Sequence, residues 1–265
     1  MPLAHRALCK HAVVGLDAAD DDLFDRWRAR RDAEGVRVDV IDLYELVAAA
    51  KGVAPDDLPL EERRHLAARA MEVIWPGFQK VAESKRTGPI ELVAYDAAWP
   101  ARFAAWRARI EATLGPVAER VEHIGSTSVP GLCAKPIVDV MVSVADPDDE
   151  PAYVPACEAA GLLLYSRDDE HRFFVDATHE RLDVQVHVCV TGGAFERDHL
   201  LFRDYLRRHD EARDAYGEMK RGAAARWRDD RQGYTYAKSD LILELMARAE
   251  AWATATGWPT RDGGR

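Results

Sequence analysis

Two runs of alternating residues dominate the hydropathy pattern. From Ile137 to Val144, Val138, Val140, Val142 and Val144 fall on one side of an extended chain; Ile137, Asp139, Met141 and Ser143 fall on the other. From Leu182 to Val190, Leu182, Val184, Val186, Val188 and Val190 oppose Asp183, Gln185, His187 and Cys189. A period of two predicts strands, and the pure apolar sides predict a buried sheet face. Shorter strands are predicted at Ile90–Val93 and Val121–Ile124. Elsewhere the spacing is helical. Pro100 suits the first turn of a helix whose stripe is Phe103, Trp106, Ile110 and Leu114, ended by Gly115-Pro116. After Gly192-Gly193, Leu201, Tyr205, Ala212, Tyr216 and Met219 share one stripe, and Leu241, Leu245, Ala249 and Trp252 another.

A break falls near residues 76–89, where Pro76-Gly77 precedes the polar run Glu83-Ser84-Lys85-Arg86-Thr87-Gly88-Pro89. Before it the order reads β-α-β-α-α. A strand is expected at Ala12–Leu16, then a helix bearing Leu23, Phe24, Trp27 and Arg31 and ended by Gly35. A second strand would run through Val36, Val38 and Val40, and a later helix would carry Leu66, Ala70, Val73 and Ile74. The predicted organisation is a small βαβ-type module over residues 1–85, followed by an α+β domain over 89–255. That domain would have a mixed sheet and a helical C-terminal part.

Composition narrows the classes. With 265 residues, 48% of them hydrophobic, the chain can bury one large core or two modest ones, which excludes a disordered chain. No run approaches the roughly eighteen apolar residues of a membrane helix, and no apolar stretch of signal-peptide length follows Met1, so a cytoplasmic protein is expected. The net charge of −10 argues against a global grip on nucleic acid. Cys9, Cys133, Cys157 and Cys189 form no C-x-x-C pair, so reduced thiols are expected rather than a zinc site or a disulfide framework. Neither G-x-x-x-x-G-K-[ST] nor G-x-G-x-x-G occurs.

The chemistry concentrates in residues 121–144. A strand runs into Gly125-Ser126-Thr127-Ser128, where successive N–H groups and three hydroxyls can surround a phosphate. Lys135 can meet that phosphate as a point charge. Asp139 projects from an otherwise apolar strand, against propensity. A carboxylate beside a phosphate turn is what a Mg²⁺-nucleotide site needs, because Mg²⁺ is commonly held by one or two carboxylates plus phosphate oxygens. The bland alternative is an ordinary loop with Asp139 paired to an arginine. His187 can act as a base or metal ligand, or as a hydrogen-bonded histidine in a half-buried sheet. Arg172 can meet a phosphate or lie on an edge strand, and Lys238 can neutralise a triphosphate or sit on the surface. Arg203 and Arg207 read as an ion-pair face with Asp204 and Asp210.

The stretch from about Ile90 to Trp252 resembles the GrpB family of the nucleotidyltransferase superfamily. The matching pieces are Tyr95-Asp96-Ala97-Ala98-Trp99-Pro100-Ala101-Arg102-Phe103, Glu122 through Leu132, Ala134 through Asp139, His199 through Arg207, and Tyr234-Thr235-Tyr236-Ala237-Lys238. The resemblance implies a nucleotidyltransferase-like α+β fold. It also implies Mg²⁺ with a nucleoside triphosphate as substrate, and a small-molecule acceptor. Gly125, Ser126, Thr127, Ser128, Lys135, Arg172 and Lys238 would bind the nucleotide, Asp139 and Asp183 would hold metal, and His187 would be the base. The sequence departs from the superfamily at Met141, where a second carboxylate is usual, and at Gln185, where the family usually has histidine. The domain also occurs fused to dephospho-coenzyme A kinases; this chain has no kinase motif. The rival reading is a non-catalytic binding or folding-accessory module whose incomplete acid set reflects lost catalysis.

Overall fold

The computed structural model describes residues 18–75, 77–82, 88–177 and 183–258. The strand expected at Ala12–Leu16 and position Leu182 lie outside these residues. The N-terminal part contributes helices α1 (Ala18–Glu34), α2 (Val40–Lys51) and α3 (Leu60–Ile74). Strand β1 (Gln79–Lys80) follows, then α4 (Trp99–Leu114), β2 (Arg120–Ile124), β3 (Val138–Val144) and the short α5 (Val154–Ala159). The hairpin β4 (Leu162–Arg167) and β5 (His171–Asp176) leads to β6 (Val184–Val190). Helices α6 (Ala194–Arg208), α7 (Asp210–Arg226), α8 (Arg231–Tyr236) and α9 (Ser239–Thr256) complete the chain.

The six strands form one mixed sheet in the order β1-β4-β5-β6-β3-β2. Only β3 and β6 are parallel, with Asp139 beside Gln185 and Met141 beside His187. The alternation works as expected on the apolar side. Val138, Val140, Val142, Val184, Val186 and Val188 are buried against Trp99, Ile110 and Leu114 of α4 and Cys157 of α5. The opposite side is also covered. Met141, Cys189 and Ile124 pack beneath Leu200 of α6, with Phe195 and Trp258 at their margin. The sheet therefore lies between two helical layers, and its polar-looking face is half-buried.

Two expected strands are not formed. Val36–Val40 is a turn and a helix start. Asp39 Oδ1 accepts from Ile41 N at 2.7 Å and Asp42 Oδ2 accepts from Asp39 N at 2.9 Å, a reciprocal cap that starts α2. Val40 already belongs to the helical stripe of Leu43, Tyr44 and Val47, so Val36, Val38 and Val40 mimic strand alternation over too short a window. The described N-terminal part before β1 is accordingly helical rather than βαβ. At Ile90–Val93 a single bridge, Val93 to Ala134, replaces the strand, because the Ile90 amide donates instead to Arg228 O at 2.7 Å.

The α1–α3 helices share a core with the C-terminal helices. Trp27, Leu43, Tyr44, Val47 and Leu66 pack with Ile90, Ala223, Trp227 and Tyr234. Trp227 is the keystone: Tyr44 lies 5.6 Å from it, and the Arg63 guanidinium stacks over its ring while pairing with Asp230 at 3.0 Å. Asp230 in turn caps α8 through Gln232 N and Gly233 N. The N-terminal helices thus fix where α8 presents Tyr234.

Candidate functional site

Gly125 joins β2 to a short 3-10 turn, Ser126–Ser128, and β2 runs antiparallel to β3, which brings Asp139 opposite Ile124. Gly125 has φ +68° and ψ −174°, and a Cβ built there would stand 2.2 Å from Asp139 Oδ2. The close approach that glycine permits is therefore to the Asp139 carboxylate. The turn uses most of its hydroxyls internally. Thr127 Oγ1 bonds His123 Nε2 at 3.0 Å and Ser128 Oγ donates to Gly125 O at 2.6 Å. Both residues are buried, and only Gly125 and Ser126 of the four line the adjoining cavity. Ser126 is hydrogen-bonded by Tyr216 of α7.

Three of the chain's seven lysines converge on this corner. Lys135 Nζ lies 5.5 Å and Lys238 Nζ 4.5 Å from the centre of the Tyr234 ring. Lys220, buried on α7, donates to Cys133 O. Burial and the charges of Lys135 and Lys220 lower the Lys238 pKa to about 7; burial and Lys135 lower that of Lys220 to about 8, with Asp139 opposing in both. Mutually repelling ammonium groups around one carboxylate form an environment suited to an anion.

Asp139 also faces the histidines of the covered sheet side. His187 Nε2 is 3.9 Å from Asp139 Oδ1, while its buried Nδ1 has no hydrogen-bond partner. His171 stacks 5.6 Å from His187 and pairs with Asp168 at 2.7 Å. Phe195 stacks between His171, at 4.7 Å, and His199, at 3.9 Å. Burial lowers the pKa of His187, and burial with His187 nearby lowers that of His199 to about 4, so both rings are neutral near pH 7.

Asp183 sits one residue before β6, its carbonyl accepting from Val138 N and its Oδ1 buried without a partner. Asp139 and Asp183 thus bracket the same end of the parallel β3–β6 pair. Among the described residues no group of three His, Cys, Asp or Glu side chains could hold a metal ion. Two carboxylates could supply only part of a divalent ion's coordination.

Arg172 is not brought here. It lies on β5, an interior strand, and its guanidinium is occupied by Glu150 at 2.8 Å, Asp148 and Asp168 O near the opposite end of β3. Arg203 is likewise engaged by Glu122, Asp204 and His123 O, and Arg207 by Ser128 O. Lys220, Tyr216 and His199 are site residues that the sequence pattern did not single out. The scarcity of lysine, which marked Lys135 and Lys238, could have marked Lys220 as well, and His199 opens a family motif, but Tyr216 reads only as a helix stripe.

The comparisons with known proteins decide the family. The GrpB protein family matches residues 89–248. This chain belongs to the GrpB family. A UPF0157 protein of Halalkalibacterium halodurans is 44% identical over 167 residues, covering 61% of this chain and 83% of that one. A dephospho-CoA kinase of Mycobacterium leprae is 32% identical over 200 residues, covering 64% of this chain and 48% of that one. The crystal structure of GrpB from Enterococcus faecalis matches with a TM-score of 0.55 and 27% identity, over 61% of this chain and 99% of that one. The GrpB fold is thus the α+β part, and α1–α3 lie outside the matched segment. Among the described residues no helix is long and apolar enough to cross a membrane.

Proposed function

We propose that this GrpB protein binds a nucleoside triphosphate with Mg²⁺ and transfers its nucleotidyl group to a small-molecule acceptor, in the cytoplasm. The observation that carries the reading is the convergence of Lys135, Lys220 and Lys238 beside Asp139 and the Gly125-Ser126 turn. A polyphosphate would relieve the repulsion among the lysines, and a divalent ion on it would turn Asp139 from a neighbour of the phosphates into a ligand. Asp139 and Asp183 would hold the ion, and Mg²⁺ would supply charge stabilisation at the transferring phosphorus. Gly125 and Ser126 would approach the phosphates, while Thr127 and Ser128 shape the turn from within. The kinase chemistry of the mycobacterial relative is not part of this reading, because the chain carries no G-x-x-x-x-G-K-[ST] loop.

The rival, a non-catalytic module, draws support from Met141. This residue replaces the usual second carboxylate and is fully buried with Cys189 and Leu200. Calorimetric titration with ATP, GTP, CTP and UTP, with and without Mg²⁺, separates the two. The nucleotide reading expects Mg²⁺-dependent binding that Asp139→Asn weakens by about a hundredfold or more, the scale of a lost charge contact in a preorganised site. A flat titration of the unaltered protein refutes it.

A further inference from the structure

Beside the Gly125-Ser126 turn, α6, α7 and α9 enclose a cavity of about 370 Å³. Its walls are Val129, Phe202, Leu206, Ile242 and Met246, with the Ser126 and Tyr216 hydroxyls near the turn and His199 on α6. Arg203 and Asp198 also border it; the guanidinium is held by Glu122 and Asp204, and the half-exposed Asp198 carboxylate pairs with Arg197 at 3.3 Å. The Asp139 carboxylate stands directly behind Gly125.

The histidine has a defined proton. His199 Nδ1 lies 2.8 Å from Phe195 O. A carbonyl can only accept, so Nδ1 carries the N–H, and in the neutral ring Nε2 keeps its lone pair. His187 is oriented differently: its Nε2 is directed at Asp139, and it is not part of the cavity wall.

We propose that this cavity is the acceptor site of the transfer reaction, that it takes a neutral molecule with an apolar body and one hydroxyl group, and that His199 Nε2 receives the hydroxyl proton. The assignment rests on the nucleotide reading above. The mostly apolar walls disfavour a charged body, since the two charged groups at their border, Asp198 and Arg203, already have ionic partners. None of Lys135, Lys220 and Lys238 lines the cavity, so the lysine cluster that would attract the triphosphate lies outside its walls. In the reaction the acceptor oxygen attacks the α-phosphorus of the nucleoside triphosphate. The new O–P bond forms as the bond from that phosphorus to the bridging oxygen breaks, and pyrophosphate leaves with its electron pair. The hydroxyl proton passes to His199 Nε2 and then to solvent. His187 becomes a positioning residue for Asp139.

Benzyl alcohol is a suitable neutral probe and benzoate its charged counterpart. In protein carrying ¹³C-methyl methionine and ¹⁵N histidine, benzyl alcohol is expected to move the Met246 methyl signal and the His199 Nε2 resonance, with Mg-ATP present or absent. Benzoate at the same concentration should move neither. Ile242→Trp should abolish the benzyl alcohol response, and Phe202→Trp serves if that variant does not fold. If Mg-ATP binds while benzyl alcohol leaves both signals unmoved, the acceptor assignment falls and the nucleotide reading stands. A benzoate response equal to that of benzyl alcohol overturns the neutral class. If benzyl alcohol binds but no nucleoside triphosphate does, the nucleotide reading fails and the acceptor assignment fails with it.

Discussion

Replacing Gly125 by alanine probes the turn at its tightest point. The backbone there (φ +68°, ψ −174°) lies in a region that only glycine occupies readily, and forcing a Cβ into it costs about 1–3 kcal/mol. The new methyl would also stand 2.2 Å from Asp139 Oδ2 and 2.9 Å from its Cγ, so the carboxylate must leave its present rotamer, for about 1 kcal/mol more. Against this, alanine restricts the unfolded chain and offsets about 0.4–1 kcal/mol. The net expectation is a loss of about 1–3.5 kcal/mol, centred near 2. Gly257→Ala is the matched control. Gly257 has nearly the same φ, +61°, but ψ +35° at the end of α9, and a Cβ added there would meet nothing within 4 Å. Its cost should stay near 1 kcal/mol, roughly the usual penalty for a side chain in the left-handed region. Urea unfolding followed by tryptophan fluorescence measures both. Because Asp139 is displaced, Gly125→Ala should also lower Mg-ATP affinity by about tenfold or more. The reasoning is refuted if Gly125→Ala is no less stable than Gly257→Ala, or if Asp139 keeps its rotamer in a crystal structure of the variant.

The lysine corner predicts a pH dependence. Affinity for Mg-ATP should fall as pH rises from 6 to 9, since Lys238 and then Lys220 lose their protons near 7 and 8, and Lys238→Met should remove the lower of the two steps, as followed by calorimetry at several pH values. Burial lowers the His123 pKa to about 4, below the usual 6.5. The unfolded chain therefore takes up a proton first, and stability should drop by up to about 3 kcal/mol between pH 6.5 and 4 with no further loss from this group below. His123→Gln should flatten that part of the pH profile in urea unfolding. Arg172→Met removes the buried guanidinium that bonds Glu150, Asp148 and Asp168 O, while Glu150 keeps Arg167; it should cost about 1–3 kcal/mol in the same assay while leaving Mg-ATP affinity unchanged, which would confirm a structural role. A chain beginning at Thr87 should fold, because the GrpB relative of known structure corresponds to that part alone. It should bind a hydrophobic dye at the bared Ile90, Trp227 and Tyr234; an unfolded circular dichroism spectrum would refute the two-unit division.

The sheet's apolar face, the helix at Pro100, the Gly125 turn and the outward step of Asp139 were all legible in the amino-acid order. Each is encoded within about ten residues, through a period of two or 3.6 or through the special backbone of glycine and proline. The family motifs likewise pointed to the stretch from about Ile90 to Trp252, and the GrpB family matches residues 89–248. Local pattern failed where two local codes competed, as at Val36–Val40, where the Asp39 cap outweighed a brief alternation. What meets at the site was settled by tertiary packing. The parallel pairing of β3 with β6 sets Asp139 near His187, and the packing of α7 and α8 carries Lys220 and Tyr234 to Lys135 from some 85 and 99 positions away. It also sent Arg172 to the far end of β3 and turned Thr127 and Ser128 inward. Such convergence depends on how whole helices and strands pack, a long-range free-energy balance that leaves no periodic trace in the chain around any one residue.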